Sequence, residues 1–253
     1  MTASPVVYGG AERSTAPTTI GEAPTVRVDL RRLTAVAVAA IAAVNLANAG
    51  AILFAPWERP ERIGTETTRW LLLAEENNPS TWLQSMLLAG AAGAALALAQ
   101  VGTQRRGWKV AAGLLALLPL DEAASLHERL DDLVGADRLD LPTYAWVLPG
   151  AIVVVALAIP AVAFLRGQPR DVRRRLYVGA SLFFGGALGV ESIAGWYDSR
   201  HGTASVPYHL ITLVEENLEL AGSLVCLVCL VGFVEALSRT LRRRSLRVVV
   251  QSR

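Results

Sequence analysis

The sequence predicts an all-α integral membrane bundle of about six transmembrane helices, with both termini cytoplasmic. Three observations carry this expectation. Of the 253 residues, 53% are hydrophobic, and the mean hydropathy is positive at +0.39, a composition outside the range of ordinary soluble domains. The apolar residues gather into six runs, each close to the ~20 residues a helix needs to cross a bilayer. The charges also sort by side, with basic residues on one set of connections and acids on the other.

Met1 to about Val28 is rich in Ser, Thr, Pro, Gly and Ala. It has no apolar periodicity and reads as a disordered cytoplasmic tail, residues 1–28. It lacks the basic start, short apolar core and cleavage site of a signal peptide. The membrane domain follows at 29–238, and 239–253 is a basic cytoplasmic tail whose Arg242–Arg244 also attract anionic lipid. The first span, Leu33–Phe54, follows Arg27, Arg31 and Arg32 and carries Asn45 and Asn48. An amide in a membrane helix usually bonds a neighbouring helix. Ala55–Pro79 is a polar connection in which Thr67–Glu76 predicts a short interfacial helix, with Trp70 and Leu71–Leu73 against lipid or protein. Glu75, Glu76, Asn77 and Asn78 are either a solvated loop or a lid.

Ser80 is the expected N-cap of the second span, Thr81–Val101, where Gly90 and Gly93 predict close helix contact. The basic turn Gly102–Lys109 leads into the third span, Val110 to about Leu130, and the acidic loop Asp131–Pro142 leads out of it. The fourth span, Tyr144–Leu165, is expected to bend at Pro149 and Pro160. After the basic turn Arg166–Arg175, the fifth span, Leu176–Trp196, holds Gly185, Gly186 and Gly189, which predict tight packing. The sixth, from about Tyr208 to Leu237, exceeds the bilayer requirement and so tilts or projects. Trp57, Trp82, Trp108, Trp146, Trp196 and Tyr197 fall near span ends, as an interfacial aromatic belt does.

Six spans put both termini on one side. That side holds 18 of the 24 basic residues, and the other holds 17 of the 22 acids. The positive-inside rule makes the basic side cytoplasmic and the chain a multi-pass protein of the cell membrane. The two cysteines, Cys226 and Cys229, have redox-motif spacing but sit in Leu-Val-Cys-Leu-Val-Cys-Leu, where packing is the simpler role. No phosphate-binding Gly loop or nucleic-acid motif occurs, so the expected partners are membrane lipid and a lipid-like or small-molecule substrate. Nothing in the sequence fixes an oligomeric state.

Six acids lie within or at the edge of apolar spans: Asp121, Glu122, Glu191, Glu215, Glu216 and Glu219. Ionisable groups at such depth are costly and are kept where they line a cavity, pair with one another or hold an ion. The stretch Leu120–Leu130 concentrates them, placing Asp121, Glu122, His127 and Glu128 at the end of the third span. At about 100° per residue, Asp121 and Glu128 share a face, with Ser125 between them and Asp132 beyond; Glu122 and His127 point elsewhere. His209 and Glu216 repeat the seven-residue spacing, with Glu219 one turn on, and Glu191 and Asp198 repeat it again. Three helices thus bring carboxylates and imidazoles to one level. Carboxylates crowded in low dielectric repel, so some must protonate or share a cation.

Two chemistries follow. As metal ligands, Asp121, His127, Glu128, Glu191, His209, Glu216 and Glu219 suit zinc, iron or manganese where imidazole joins, and calcium or magnesium where oxygen alone binds. As acids, Asp121, Glu122, Glu128, Glu191 and Glu216 are the catalytic candidates. No His-Glu-x-x-His or Glu-x-x-His ligand motif is present.

Glu-Glu-Asn-Asn-Pro-Ser-Thr-Trp at Glu75–Trp82, Leu-Asp-Glu-Ala-Ala-Ser-Leu-His-Glu at Leu120–Glu128 and Glu-Glu-Asn-Leu-Glu-Leu-Ala-Gly at Glu215–Gly222 resemble a family of uncharacterised bacterial six-span membrane proteins. That resemblance covers most of the chain between the tails and implies the architecture, with no reaction attached. The chain is also similar to membrane hydrolases of the alkaline ceramidase type, which use zinc inside a helical bundle, although their His-x-x-x-His is absent here. Membrane terpene cyclases, which use intramembrane carboxylic acids, are a third likeness. The expected function is a membrane enzyme, a hydrolase or cyclase, acting on a lipid or prenyl-like substrate. A bound metal or a protonated carboxylic acid in a cavity on the extracytoplasmic side would serve it. The alternatives are a cation- or proton-coupled transporter and a structural or sensory protein whose cluster holds a cation. The apolar inner halves of the third, fifth and sixth spans weigh against a path through the membrane.

Overall fold

A computed structural model describes residues 28–54, 70–75, 77–126 and 142–251, with side chains to residue 240. Among these residues every regular element is helical: α1 (Leu30–Phe54), α2 (Pro79–Val101), α3 (Arg105–Ala124), α4 (Val147–Arg166), α5 (Arg170–Phe184), a π-helical turn (Gly185–Val190), α6 (Glu191–His201) and α7 (Val206–Gln251). Five of the described helices are long and apolar enough to cross a membrane: α1, α2, α4, the continuous rod Arg170–His201, and α7 as far as Thr240. This is the build of an integral membrane protein.

The expected third span is the exception. It is helical, but Arg105, Arg106 and Lys109 stand at one end and Asp121 and Glu122 at the other. The uncharged stretch between them, Val110–Leu120, rises only about 16 Å against a hydrocarbon core of about 30 Å. The helix also stops sooner than the expected Leu130. Ser125 adopts the left-handed conformation, φ 47°, and its N–H caps Asp121 O.

α7 is the centre of the bundle. α2 and α5 pack along it, α1 lies against it, and α3 lies on α2. Towards the Arg-rich end the contact is apolar and fine-grained: Ala91, Ala95 and Leu98 of α2, Trp108 and Ala112 of α3, and Leu220, Leu227 and Leu230 of α7. Between lipid-solvated helices apolar burial releases little water, so close packing and interhelical hydrogen bonds hold the assembly. The tightest approach joins α5 to α7. A Cβ on Gly222 would come within 2.6 Å of Gly179 O and Phe183 N, and one on Gly186 within 2.8 Å of Glu215 O. Of the glycines expected to pack closely, Gly90 meets Leu227, whereas Gly93, Gly185 and Gly189 face open space. The large apolar side chains left exposed, such as Leu53, Trp82, Ile152 and Ile159, form the lipid-facing surface, and α4 carries many of them.

Several boundaries differ from expectation for local reasons. Asn78, not Ser80, caps α2; its Oδ1 accepts from Ser80 N at 2.7 Å and Thr81 N at 3.0 Å, and Pro79 takes the first turn where no N–H is needed. Pro149 likewise falls in the first turn of α4, so only Pro160 lies inside that helix, which runs on unbroken past it. Most of the basic turn 166–175 is the start of α5, and α7 stays helical through the basic tail to Gln251. The described part of the expected interfacial helix, 70–75, forms turns rather than a helix, with Leu72 and Leu73 buried in protein and Trp70 exposed. The first tail as far as residue 27, and the expected loop Asp131–Pro142 as far as residue 141, lie outside the described residues.

Candidate functional site

The end of the bundle opposite the arginines holds a cavity of about 720 Å³. Seven acids line it: Glu75 from the turn before α2, Asp121 and Glu122 from α3, Glu191 from α6, and Glu215, Glu216 and Glu219 from α7. Aromatic side chains, Tyr144, Trp146, Phe183, Phe184 and Tyr208, make up much of the remaining wall.

Five of the acids have an identifiable support. Gln84, buried at 1% exposure on α2, donates from Nε2 to Glu122 Oε2 at 3.0 Å and to Glu219 Oε2 at 2.7 Å. One amide group thus joins carboxyls from two other helices. Ser80 Oγ donates to Glu216 Oε2 at 3.2 Å. Trp146 Nε1 donates to Glu191 Oε1 at 3.0 Å, and its ring lies over Gly150 at the start of α4. Glu75 is positioned by Asn78, whose Nδ2 donates to Leu72 O, Leu73 O and Glu75 O while its Oδ1 caps α2. The same turn is tied to α1, since Leu73 N donates to Asn48 Oδ1 at 3.0 Å. Behind the cavity α1 is fixed to α7 by a reciprocal amide pair: Asn45 Nδ2 to Asn217 Oδ1, 2.9 Å, and Asn217 Nδ2 to Asn45 Oδ1, 2.7 Å. Asn45 thus makes the interhelical bond expected of the first-span asparagines, whereas Asn48 holds the 70–75 turn instead.

The Tyr144 hydroxyl lies 3.0 Å from that of Tyr208 and donates to Asp198 Oδ2 at 3.5 Å. Burial, reinforced by the bond to Tyr208, pushes the Tyr144 phenol far above its ordinary pKa, so it stays neutral. The π-helical turn shapes the opposite wall. Its widened backbone lets Phe184, Ala187, Leu188 and Glu191 all face the cavity, and Gly186 lets it press onto α7 beside Glu219.

The expected constellation is met in part. Asp121, Glu122, Glu191, Glu216 and Glu219 share the cavity. His127 and Glu128 lie outside the described residues. The Asp121–Glu128 stripe assumed one unbroken helix, and the turn at Ser125 ends that register. Glu122, expected to point away from the inward pair, is the α3 acid bonded to Gln84. His209 is buried edge-on against Tyr208 and is not part of the lining. Among the described residues, no group of three or more His, Cys, Asp and Glu side chains is disposed to hold a metal ion. Gln84 and the tyrosines were missed as site residues, and Glu215, counted among the acids of the apolar spans, was given neither a ligand nor an acid role. Gln84 had a signal, being the one amide within the apolar run Leu83–Val101 before Gln100; the tyrosines had none, because their role depends on a contact between separate elements. Cys226 packs on Gly179, and Cys229 Sγ points to Val172 O, so both serve packing.

No curated protein and no solved structure matches the chain. A family model does, over residues 33–233, from the first turn of α1 to the middle of α7. The chain therefore belongs to the family described as a domain of unknown function, DUF8692.

Proposed function

We propose that this protein is a membrane enzyme acting on a lipid-like or prenyl-like substrate held in the acidic cavity, with a buried carboxyl group as its Brønsted acid. The observation that carries the reading is the sharing of the Gln84 amide by Glu122 and Glu219. Two carboxyls drawn onto one buried amide, with Glu216 one turn away, crowd like charges in a site walled by aromatic rings, and such crowding favours their keeping a proton between them. An acid so positioned contributes about 10²–10⁴-fold to a rate. The apolar packing of Ala91, Ala95, Leu98, Leu220, Leu227 and Leu230 beneath the cavity favours a pocket over a transport path. A divalent metal, zinc, iron, manganese or calcium, is the second version. Glu216 and Glu219, on successive turns of the cavity wall, would be its first ligands, and it would supply a Lewis acid.

The test is conversion of lipid. Purified protein in nanodiscs is incubated with a total lipid extract of the expression host, and the lipids are profiled by mass spectrometry. The wild type is expected to deplete one species and generate another, and Glu219→Gln is expected to do neither. Identical profiles for wild type, variant and empty nanodiscs would remove the enzyme reading.

A further inference from the structure

We propose that the cavity loads sideways from the bilayer, with the hydrocarbon chain of a membrane amphiphile lying in a wedge between α3 and α4 and its polar group meeting the carboxyls. The inference rests on reading the cavity as a lipid-substrate site, and it adds the route and the orientation of that substrate.

α3 and α4 are joined at the Arg-rich end. Trp108 and Phe164 meet edge-on at 5.0 Å between ring centroids, Gly107 lies directly under the Phe164 ring, and Gln168 Nε2 donates to Gln104 Oε1 at 3.0 Å. Over their length the two are not among the closely packed helix pairs. The cavity occupies the gap, with Leu118 of α3 on one side and Val153 and Val154 of α4 on the other.

Depth decides what fills it. Leu118 lies six residues before the end of α3 at Ala124, and Val153 six residues after the start of α4 at Val147. Val153 is therefore about 9 Å along α4 from the acidic end, within the ~15 Å half-thickness of the hydrocarbon core for a helix that spans it, and Leu118 lines the same cavity from α3. Val153 is 56% exposed and Leu126 43% exposed while both also line the cavity. The inner wall is thus continuous with the outer, lipid-facing surface. The medium at that mouth is acyl chain, and the mouth itself is built of Leu and Val methyl groups. A chain enters such a gap without losing a polar partner. A polar headgroup does not pass it and stays at the acidic end. A volume of about 720 Å³ accommodates a ligand of drug-like size or a comparable part of a lipid.

Trp146 provides the test, because it lines the cavity yet is only 8% exposed, whereas Trp82 is 68% exposed on the lipid-facing surface. The protein is placed in vesicles of phosphatidylcholine carrying bromine midway along its chains, or in the same lipid without bromine. The emission of each residue is taken as the difference between wild type and Trp146→Phe or Trp82→Phe. A chain in the wedge quenches Trp146 to the same extent as Trp82. Val154→Phe narrows the wedge and is expected to restore Trp146 emission while Trp82 stays quenched, the latter showing that the bundle is still seated in the bilayer. Trp146 emission that bromine leaves unchanged while Trp82 dims would overturn the proposal, as would quenching of Trp146 that persists in Val154→Phe. None of these measurements requires turnover, so a protein that converts no lipid yet shows the wedge quenching loses the enzyme reading and keeps the route.

Discussion

Gly222→Ala tests whether the α5–α7 seam positions the cavity wall. The added Cβ would lie 2.6 Å from Gly179 O, 2.6 Å from Phe183 N and 2.9 Å from Phe183 Cβ, where ordinary contact begins near 3.4 Å. Two of these are backbone atoms inside a helix and cannot rotate away, so the helices must separate by about 0.8 Å, the shortfall between 2.6 and 3.4 Å. Forcing a methyl into a closely packed interior costs about 1–3 kcal/mol. Replacing Gly by Ala in a helix returns at most about 1 kcal/mol, so the expected net loss is about 1–2 kcal/mol. The shift also moves Phe183, Phe184 and the π-helical turn, and with them the wall that carries Glu191. Gly93→Ala is the control, since nothing lies within 4 Å of its Cβ position; it keeps the helix gain. The two alanine variants are thus expected to differ by about 2 kcal/mol. Reversible unfolding in mixed micelles titrated with SDS, followed by helical circular dichroism, measures it. Equal stability of the two variants would refute the reasoning.

Asn45→Leu and Asn217→Leu each break both bonds of the reciprocal pair. Interhelical bonds in membranes average about 0.6 kcal/mol and reach about 1.7, so each variant is expected to lose about 1–2 kcal/mol. The double-mutant cycle should show coupling of about 1 kcal/mol, whereas simple additivity would mean that the pair does not hold α1. Asn78→Asp keeps the cap acceptor but not the donor that holds 72–75, while Asn78→Ala loses both; the alanine variant is expected to be the less stable by about 1 kcal/mol in thermal unfolding. Glu216→Gln and Glu128→Gln are expected to abolish lipid conversion while leaving an assembled protein, because Gln keeps shape and hydrogen bonding but neither carries charge nor cycles a proton. Glu235→Gln, paired with Arg239 near the opposite end of the same helix, should change little. In the same samples, a wild-type melting temperature indifferent to chelator would remove the metal version. A cysteine placed at Ser4 or Ser252 is expected to escape an impermeant thiol reagent added to intact cells, and labelling there would reverse the topology.

The span positions of α1, α2, α4, the Arg170–His201 rod and α7 were legible because a bilayer requires a long apolar run, and such a run is a local property of the chain. The acids at Asp121, Glu122, Glu191, Glu216 and Glu219 were legible for the converse reason: charge inside such a run stands out. Seven-residue spacing was less informative. It presumes one continuous α-helix, which holds for Glu191 and Asp198, both within α6, whereas Ser125 ends α3 between Asp121 and Glu128. The cap at Asn78 was misread by two residues because Asn, Ser and Pro there are all good N-terminal residues, and only the contacts of the Asn78 amide to 72–75 select among them.

The sequence by itself determined that the chain is helical and membrane-built, that its arginines and acids part to opposite ends, and which apolar runs carry acids. Tertiary structure decided which of those groups meet. That Glu122 rather than Asp121 shares an amide with Glu219, that the amide belongs to Gln84, and that Tyr144 reaches Tyr208 all depend on how four separate elements are rotated about their axes. Hydropathy is indifferent to that rotation, because an apolar helix in lipid is nearly apolar all round. Rotation is fixed instead by a few close contacts, Gly179 on Gly222, Gly186 on Glu215 and Asn45 on Asn217. The pairing of such contacts is a property of the packed bundle and of no single helix.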